Sequence, residues 1–387
     1  MPETGADVVL HIGKKLDKLP PIPYESCIFR VHDSLRNQNE KAYEPGVVPI
    51  GPYHHGKKNL QPMEEHKLRY LQQLLQRRNE TTVERYIVAM RESEERARKF
   101  YAEPISLDSN EFVEMMLLDS CFIVEFLRKC EMANLIDPND RIFQLGHITY
   151  GLCRDLMLFE NQLPFFIVMQ LFNMTQNSTD SLDDLIRMFV RLFDQETPGE
   201  NPREDDIEHL LGLRHYCCCY QFHSIVSQRD PAKTKDPSET KYPSQTKDMS
   251  LNSAKELQVA GINFKKSEGQ NLFNIRFVNG TMEIPTLTID DDIESFFRNL
   301  IAYEQYLPHT SWNYFTAYHK FMDYIVNTSE DVRIHTHNGI IHNLLGDNEV
   351  AAVMINKLST NIIASYVGYE EVYDNVNKHC REKWNLR

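Results

Sequence analysis

No stretch of this sequence approaches the roughly 18 to 20 consecutive apolar residues that cross a bilayer. Its 387 residues are therefore expected to form a soluble body. The start, Met-Pro-Glu-Thr-Gly-Ala-Asp, lacks a cationic flank followed by an apolar core, so no secretory signal is expected there. Positive charge is also short, with 42 Lys and Arg against 56 Asp and Glu and a net charge of −14. Phosphate backbones recruit Lys and Arg, so a nucleic-acid partner is not expected, although a local basic patch stays open. Catalytic signatures are absent as well: there is no Gly-x-Ser-x-Gly elbow, no G-x-G-x-x-G, no phosphate-binding loop, no Cys-x-x-Cys and no His-Glu-x-x-His. The 8 cysteines are too few for a disulfide scaffold in a chain of this length, and Cys217, Cys218 and Cys219 are consecutive. They read as reduced cysteines used mainly as small hydrophobes, and neither a metal nor a cofactor is expected.

What is present is ordinary globular material, 41% hydrophobic and 25% charged, enough for a sizeable core or for two. Residues 1–62 carry Pro20, Pro21, Pro23, Pro45, Pro49, Pro52 and Pro62, which predicts an extended arm laid on the body rather than one long element. Residues 63–227 read as a helical region. Pro62 is placed where a first turn tolerates it, and Leu68, Leu71, Leu74 and Leu75 follow at helical spacing. Helices are expected over Thr82–Lys99, Ser109–Lys129, Leu182–Phe193 and Asp206–Val226, with Ile148–Met174 kinked or restarted at Pro164. Residues 228–250 turn to Lys, Asp, Pro, Ser, Thr and Gln, a mobile linker or surface loop.

Residues 251–387 are expected to be helical with a small β inset. A helix over Ala254–Ala260 capped by Gly261 precedes strands near Ile262–Phe264, Leu272–Val278 and Met282–Leu287, and Asn279-Gly280 is a two-residue hairpin signal. Helices follow over Ile293–Tyr306, Trp312–Val326, Glu330–Leu345, Glu349–Leu358 and toward Trp384. The expected fold class is thus mainly α, a multi-helix bundle-like body with a small antiparallel hairpin or sheet inset in the C-terminal half.

The most informative segment is Asp155 to Phe166, Asp-Leu-Met-Leu-Phe-Glu-Asn-Gln-Leu-Pro-Phe-Phe, which sets Asp155, Glu160, Asn161 and Gln162 inside one of the most apolar parts of the chain. Burying an unpaired charge costs several kcal/mol, so these side chains need specific partners. Other ordered motifs accompany it: Ile28-Phe-Arg-Val, Tyr43-Glu-Pro-Gly-Val-Val-Pro-Ile-Gly-Pro-Tyr-His-His-Gly, His66-Lys-Leu-Arg-Tyr-Leu, Leu118-Asp-Ser-Cys-Phe-Ile-Val-Glu, Ala260-Gly-Ile-Asn-Phe, Ile284-Pro, Arg298-Asn-Leu-Ile-Ala-Tyr-Glu-Gln and Gly339-Ile-Ile-His-Asn-Leu-Leu-Gly. In order and spacing they resemble the large plant family of domain-of-unknown-function 247 proteins, almost end to end. The resemblance implies a long soluble domain followed by a single hydrophobic helix. It also implies, for some members in the grasses, a part in self-incompatibility. On that pattern the natural protein is expected to continue past Arg387 into a single-pass anchor that places this domain at a membrane, the plasma membrane being the expected one, with the side left open.

Three constellations could carry chemistry. The loop motif Tyr53, His54 and His55, with His66 further on, could offer imidazoles to a metal, but zinc needs three or four convergent ligands, and a turn packed on the body is the plainer reading. The acids Asp119, Glu125, Asp155 and Glu160, with Glu304, Gln305, His66 and Lys67 as conceivable partners, could hold Mg²⁺ for phosphoester hydrolysis. The favoured reading, since these carboxylates are helix-borne and no phosphate loop accompanies them, is that Asp155, Glu160, Asn161, Gln162, Glu304 and Gln305 form a structural polar motif inside the helical core. A cysteine nucleophile at Cys121 would sit on an apolar helix, where thiols are inert. Two function classes follow. One is a non-enzymatic plant recognition or signalling module that binds another protein, with a homo-oligomer left open. The other is a metal-dependent, phosphoesterase-like hydrolase. Sequons at Asn79, Asn173, Asn177, Asn279 and Asn327 would matter only if the domain lies outside the cytosol.

Overall fold

The computed structural model describes residues 5–16, 26–176, 181–193, 199–229, 249–269, 271–307 and 312–384. Most of the polar stretch 228–250, together with Asn177 and the prolines at 20, 21 and 23, lies outside them. The protein is mainly α. In chain order the first helices are α1 (Gly5–Leu16), α2 (Asp33–Arg36), α3 (Gln61–Arg77), α4 (Glu84–Lys99), α5 (Ser109–Glu131), α6 (Arg141–Gln144), α7 (Gly146–Asp155), α8 (Phe165–Thr175), α9 (Leu182–Leu192) and α10 (Leu210–Arg229). After them come α11 (Ala254–Val259), β1 (Asn263–Lys266), β2 (Arg276–Val278), β3 (Thr281–Ile284) and β4 (Leu287–Ile289). The chain closes with α12 (Ile293–Tyr306), α13 (Tyr314–Ile325), α14 (Ser329–His337), β5 (Ile341–Asn343), α15 (Asn348–Leu358) and α16 (Glu370–Trp384).

α5 is the hub. Asp108 and Glu111 close a capping box at its start, and from Phe112 to Lys129 almost every side chain is buried. A helix buried all round needs neighbours on every side, and α3, α4, α8 and α9 supply them. In the C-terminal half α12 plays the same part, against α13, α15 and α10. Buried apolar side chains of both halves belong to one continuous core.

The N-terminal region departs from the expected extended arm in several places. No proline falls between Pro2 and Pro20, and there Gly5–Leu16 winds into α1, with Val8, Val9, Leu10, Ile12 and Leu16 exposed. From residue 26 onward short extended stretches alternate with α2, turns and the 3-10 turns Glu40–Tyr43 and Lys58–Leu60, and the chain is laid on the body: Cys27 and Ile28 N–H groups donate to the Phe100 carbonyl at 3.0 and 2.9 Å, and Ala102 returns a bond to Ile28.

Two further elements differ from expectation. The helix foreseen over Glu330–Leu345 stops at His337, because Gly339 takes φ +70° and a Schellman turn closes, with Gly339 N–H on Thr336 and Ile340 N–H on His335. The freed Ile341–Asn343 becomes β5, parallel to β4. The hairpin at Asn279-Gly280 forms as foreseen, both residues at positive φ, and pairs β2 with β3 antiparallel. β1 then joins β3 in parallel, which no local signal announced.

Candidate functional site

The helix run around Pro164 is opened by its own side chains. α7 ends at Asp155, and the carbonyls that a continuing helix would have used are taken from downstream. Asn161 Nδ2 donates to the Asp155 carbonyl at 2.9 Å, and Gln162 Nε2 donates to those of Leu156 and Leu158, both at 2.8 Å. Pro164 then starts α8, whose first N–H, on Phe165, donates to the Glu208 carbonyl at 2.9 Å. The result is a compact polar loop from 156 to 164 inside an apolar wall, and its outward-turned acceptors meet the N-terminal segment.

Asp155 takes three backbone N–H groups in succession: Gly46 at 3.1 Å, Val47 at 2.6 Å and Val48 at 3.0 Å. Arg154 Nη1 reaches the same carboxylate at 2.9 Å. Burial pushes the Asp155 carboxyl above its ordinary value, and the three N–H groups and Arg154 pull against it. Asn161 Oδ1 accepts from Ile50 N–H at 2.7 Å while its amide donates to the Val48 carbonyl at 3.0 Å, a strand-like exchange made by a side chain. Gly51 N–H goes to Asp119 Oδ2 at 2.7 Å. Residues 46–51 are thus held by four side chains, Asp155, Asn161, Asp119 and Lys67, drawn from three helices and a loop.

Asp119 sits on α5 against Lys67 of α3, Oδ1 to Nζ at 2.6 Å, and Lys67 also donates to the Pro49 carbonyl at 2.7 Å and to Glu64 at 2.8 Å. Burial raises the Asp119 carboxyl, opposed first by the Lys67 charge. Glu160 accepts from Val31 N–H at 2.5 Å and from Arg36 Nη2 on one oxygen, and its other oxygen faces Arg30 Nη1 at 3.7 Å. Glu125 lies elsewhere on α5, clamped by Arg77 through both oxygens at 2.6 and 2.7 Å and by Arg128 at 3.0 Å.

Of the conceivable partners, Lys67 is the one that meets the acidic set. Glu304 and Gln305 do not join Asp155. Glu304 caps the start of α13, accepting Phe315 N–H at 2.9 Å and Thr316 N–H at 2.6 Å, and touches His215 at 2.9 Å. Gln305 accepts from Ile363 N–H at 2.7 Å. The residue of α12 that does reach the clasp is Asn299: its Oδ1 accepts Phe159 N–H at 2.8 Å, and its Nδ2 donates to the carbonyls of Ala42 and Ser295 at 2.8 and 2.7 Å. In the sequence Asn299 lies within the Arg298-Asn-Leu-Ile-Ala-Tyr-Glu-Gln motif, where no role is assigned to it. An asparagine inside an otherwise apolar helical turn was the available signal.

The loop histidines separate. His54 is buried between two carboxylates, Nδ1 3.7 Å from Glu44 and Nε2 3.9 Å from Glu160, and neither ring nitrogen has a hydrogen-bond partner among the described residues. Burial, with the charges of Lys57, Arg30 and Arg36 adding to it against Glu44, pulls His54 down to about 3. His55 is half-buried, and His66 lines a different, polar cavity of about 360 Å³ with Glu65, Arg69 and Asp140. Tyr53 donates to the Ile28 carbonyl at 3.1 Å and to Glu103, tying the loop back to the 28–31 segment.

His54 gives a pH signature. Unfolded, it titrates near its ordinary value and binds a proton as pH falls below about 6.5. Folded, it stays neutral down to about 3, so acid favours the unfolded chain and stability falls with pH across that window. Unfolding free energies from urea titrations of wild type and His54→Asn should therefore diverge in slope by up to about 1.4 kcal/mol per pH unit between pH ~6 and ~4, the wild type losing stability the more steeply as pH falls. Parallel slopes would contradict the buried neutral ring.

Among the described residues, the groups of three or more His, Cys, Asp or Glu whose ligand atoms converge are Cys27–Glu208–His209 and His215–Cys219–Glu304. The four acids Asp119, Glu125, Asp155 and Glu160 do not form one. None of the eight cysteines is in a disulfide, and Cys121 is buried in α5, where burial raises its thiol well above the ordinary value. No described helix is long and apolar enough to cross a membrane.

The comparisons with known proteins agree with one another. The chain is 32% identical over 382 residues to UPF0481 protein At3g47200 of Arabidopsis thaliana, covering 93% of this chain and 78% of that one. It is 22% identical over 469 residues to putative UPF0481 protein At3g02645 of the same plant, covering 98% and 87%. No solved structure matches. A family model described as plant protein of unknown function, DUF247, matches residues 28–387, a span that begins at the Ile28 segment and takes in every contact of the clasp around Asp155. The chain belongs to the DUF247 family of plant proteins.

Proposed function

We propose that this domain is a non-enzymatic plant recognition or signalling module that acts by binding another protein while held at a membrane, the plasma membrane being the expected one. One observation supports it most: the acids that could have run hydrolysis are engaged in holding the chain together. Asp155 accepts three backbone N–H groups, Asp119 pairs with Lys67, and Glu125 is clamped by two arginines. Two-metal phosphoester chemistry needs bridging carboxylates that converge with open coordination positions. A role in self-incompatibility and attachment through a helix beyond Arg387 rest on the family resemblance.

The test uses hard cations. Mg²⁺ and Mn²⁺ take oxygen ligands, and a cation that binds only the native state raises its melting temperature. The expected result is no shift with either ion and no chelator-sensitive turnover of phosphomonoesters or diesters. A chelator-sensitive turnover lost in Asp119→Asn, with the fold intact, would overturn the proposal in favour of the hydrolase.

A further inference from the structure

α10 places His215 and Cys219 one turn apart, so both face the same way, and that face meets α12 at Glu304. His215 Nε2 lies 2.9 Å from Glu304 Oε1 and 3.6 Å from Cys219 Sγ. All three residues are buried, at 5, 0 and 1% exposure. Around a tetrahedral zinc, bonds of about 2.0 to 2.3 Å hold neighbouring ligand atoms about 3.3 to 3.8 Å apart. The three atoms already sit within 4.8 Å of one another. They need little movement to close on an ion.

The surroundings are those of an oriented ligand set. Thr316 N–H holds Glu304 Oε2 at 2.6 Å and Phe315 N–H holds Oε1 at 2.9 Å, which fixes the carboxylate from the α13 side. The His215 ring is held by Tyr303 and Phe315, at centroid distances of 5.3 and 5.9 Å. We infer that His215, Cys219 and Glu304 form a binding site for a thiophilic divalent cation, zinc foremost, which ties α10 to α12 and to the start of α13.

Charge favours the assignment. A thiolate and a carboxylate cancel a dication, so the occupied site carries no net charge into the core. Binding releases the thiol proton of Cys219, and the proton on His215 Nε2 that faces Glu304 moves to Nδ1, so a thiolate, a neutral imidazole and a carboxylate meet the zinc. Three protein ligands leave one position for water. The second cluster does not qualify. His209 Nδ1 already accepts Gly212 N–H at 3.0 Å, so a metal on Nε2 would drive the ring proton onto a nitrogen in use as an acceptor.

The inference is separate from the proposed function, because a soft-metal staple leaves the hard-cation test untouched. The full chain, stripped with chelator and titrated with zinc chloride, should take up one zinc by native mass spectrometry and melt at higher temperature. Cobalt(II) in its place should give a thiolate charge-transfer band. Cys219→Ala should lose that band and weaken zinc binding by more than about a hundredfold, His215→Gln should weaken it as well, and Cys27→Ala should change neither. Should Cys219→Ala fail to fold, the wild-type stoichiometry and cobalt spectrum still decide. Folded wild type that takes up no zinc at micromolar free ion, or a cobalt band lost in Cys27→Ala and kept in Cys219→Ala, would overturn the inference.

Discussion

Asp155→Ala is expected to cost about 3 to 5 kcal/mol, enough to leave much of the chain unfolded against a typical total of about 5 to 15. The side chain is fully buried and receives Gly46, Val47 and Val48 N–H groups as well as Arg154. Alanine fills part of the volume and leaves three N–H donors without their acceptor, of which Val48 is buried, Val47 half-buried and Gly46 exposed, so the cost of about 1 to 3 kcal/mol for a buried donor falls in full on Val48. Asp155→Asn keeps one acceptor oxygen but turns an NH₂ toward Val47 and Val48 or toward Gly46, so donor meets donor. Its cost should fall between wild type and alanine, about 2 to 3 kcal/mol. Urea denaturation followed by circular dichroism measures both. A loss under about 1 kcal/mol in either variant would remove the clasp from the account of stability.

Gly51→Ala should be at least as damaging, for a steric reason. Gly51 has φ +70°, and a Cβ there would lie 2.2 Å from the Gln162 carbonyl oxygen and 3.1 Å from the Tyr101 hydroxyl. The obstacle is backbone of the same polar loop, itself fixed by the Gln162 side chain and by Tyr101, so neither partner can swing aside. The 46–51 segment would have to lift, and the Gly51 N–H bond to Asp119 would go with it. An expected cost of about 3 to 5 kcal/mol follows from overpacking and a lost buried hydrogen bond together. Gly56→Ala is the control: its φ is +76°, yet nothing lies within 4 Å of the added Cβ. That variant should lose only about 1 kcal/mol, the cost of left-handed backbone alone. Equal melting temperatures for the two variants would contradict the close approach.

These two predictions mark where the sequence was informative. Polar residues inside an apolar run need partners, which draws attention to Asp155, Glu160, Asn161 and Gln162, all four buried. It could not name the partners, because Gly46 is 109 residues from Asp155 and offers a backbone N–H that leaves no trace in residue type. Side-chain partners were more legible: Lys67, beside His66 in a motif, does meet Asp119, whereas nothing local to Arg77 and Arg128 marks them as the partners of Glu125. Helix positions followed from periodicity and from Pro62, Pro164 and Gly261, all of which fall at helix starts or ends. The exceptions were non-local. β5 exists because β4 pairs with it, and its sequence, Ile-His-Asn, carries no strand pattern of its own. His215–Cys219–Glu304 was invisible for the same reason: the i, i+4 pair is readable on α10, but the glutamate arrives from another helix.

The central claim is that the motif at 155–166 serves to fasten residues 46–51 to the helical core. Native-state amide hydrogen exchange tests it most directly, on Gly46, Val47, Val48, Ile50 and Gly51 in wild type and in Asp155→Asn. The expected result is protection near the level of the α5 amides in wild type, with Gly46, Val47 and Val48 losing it selectively in the variant. Fast exchange of these amides in wild type, at the rate of exposed loop, would contradict the account.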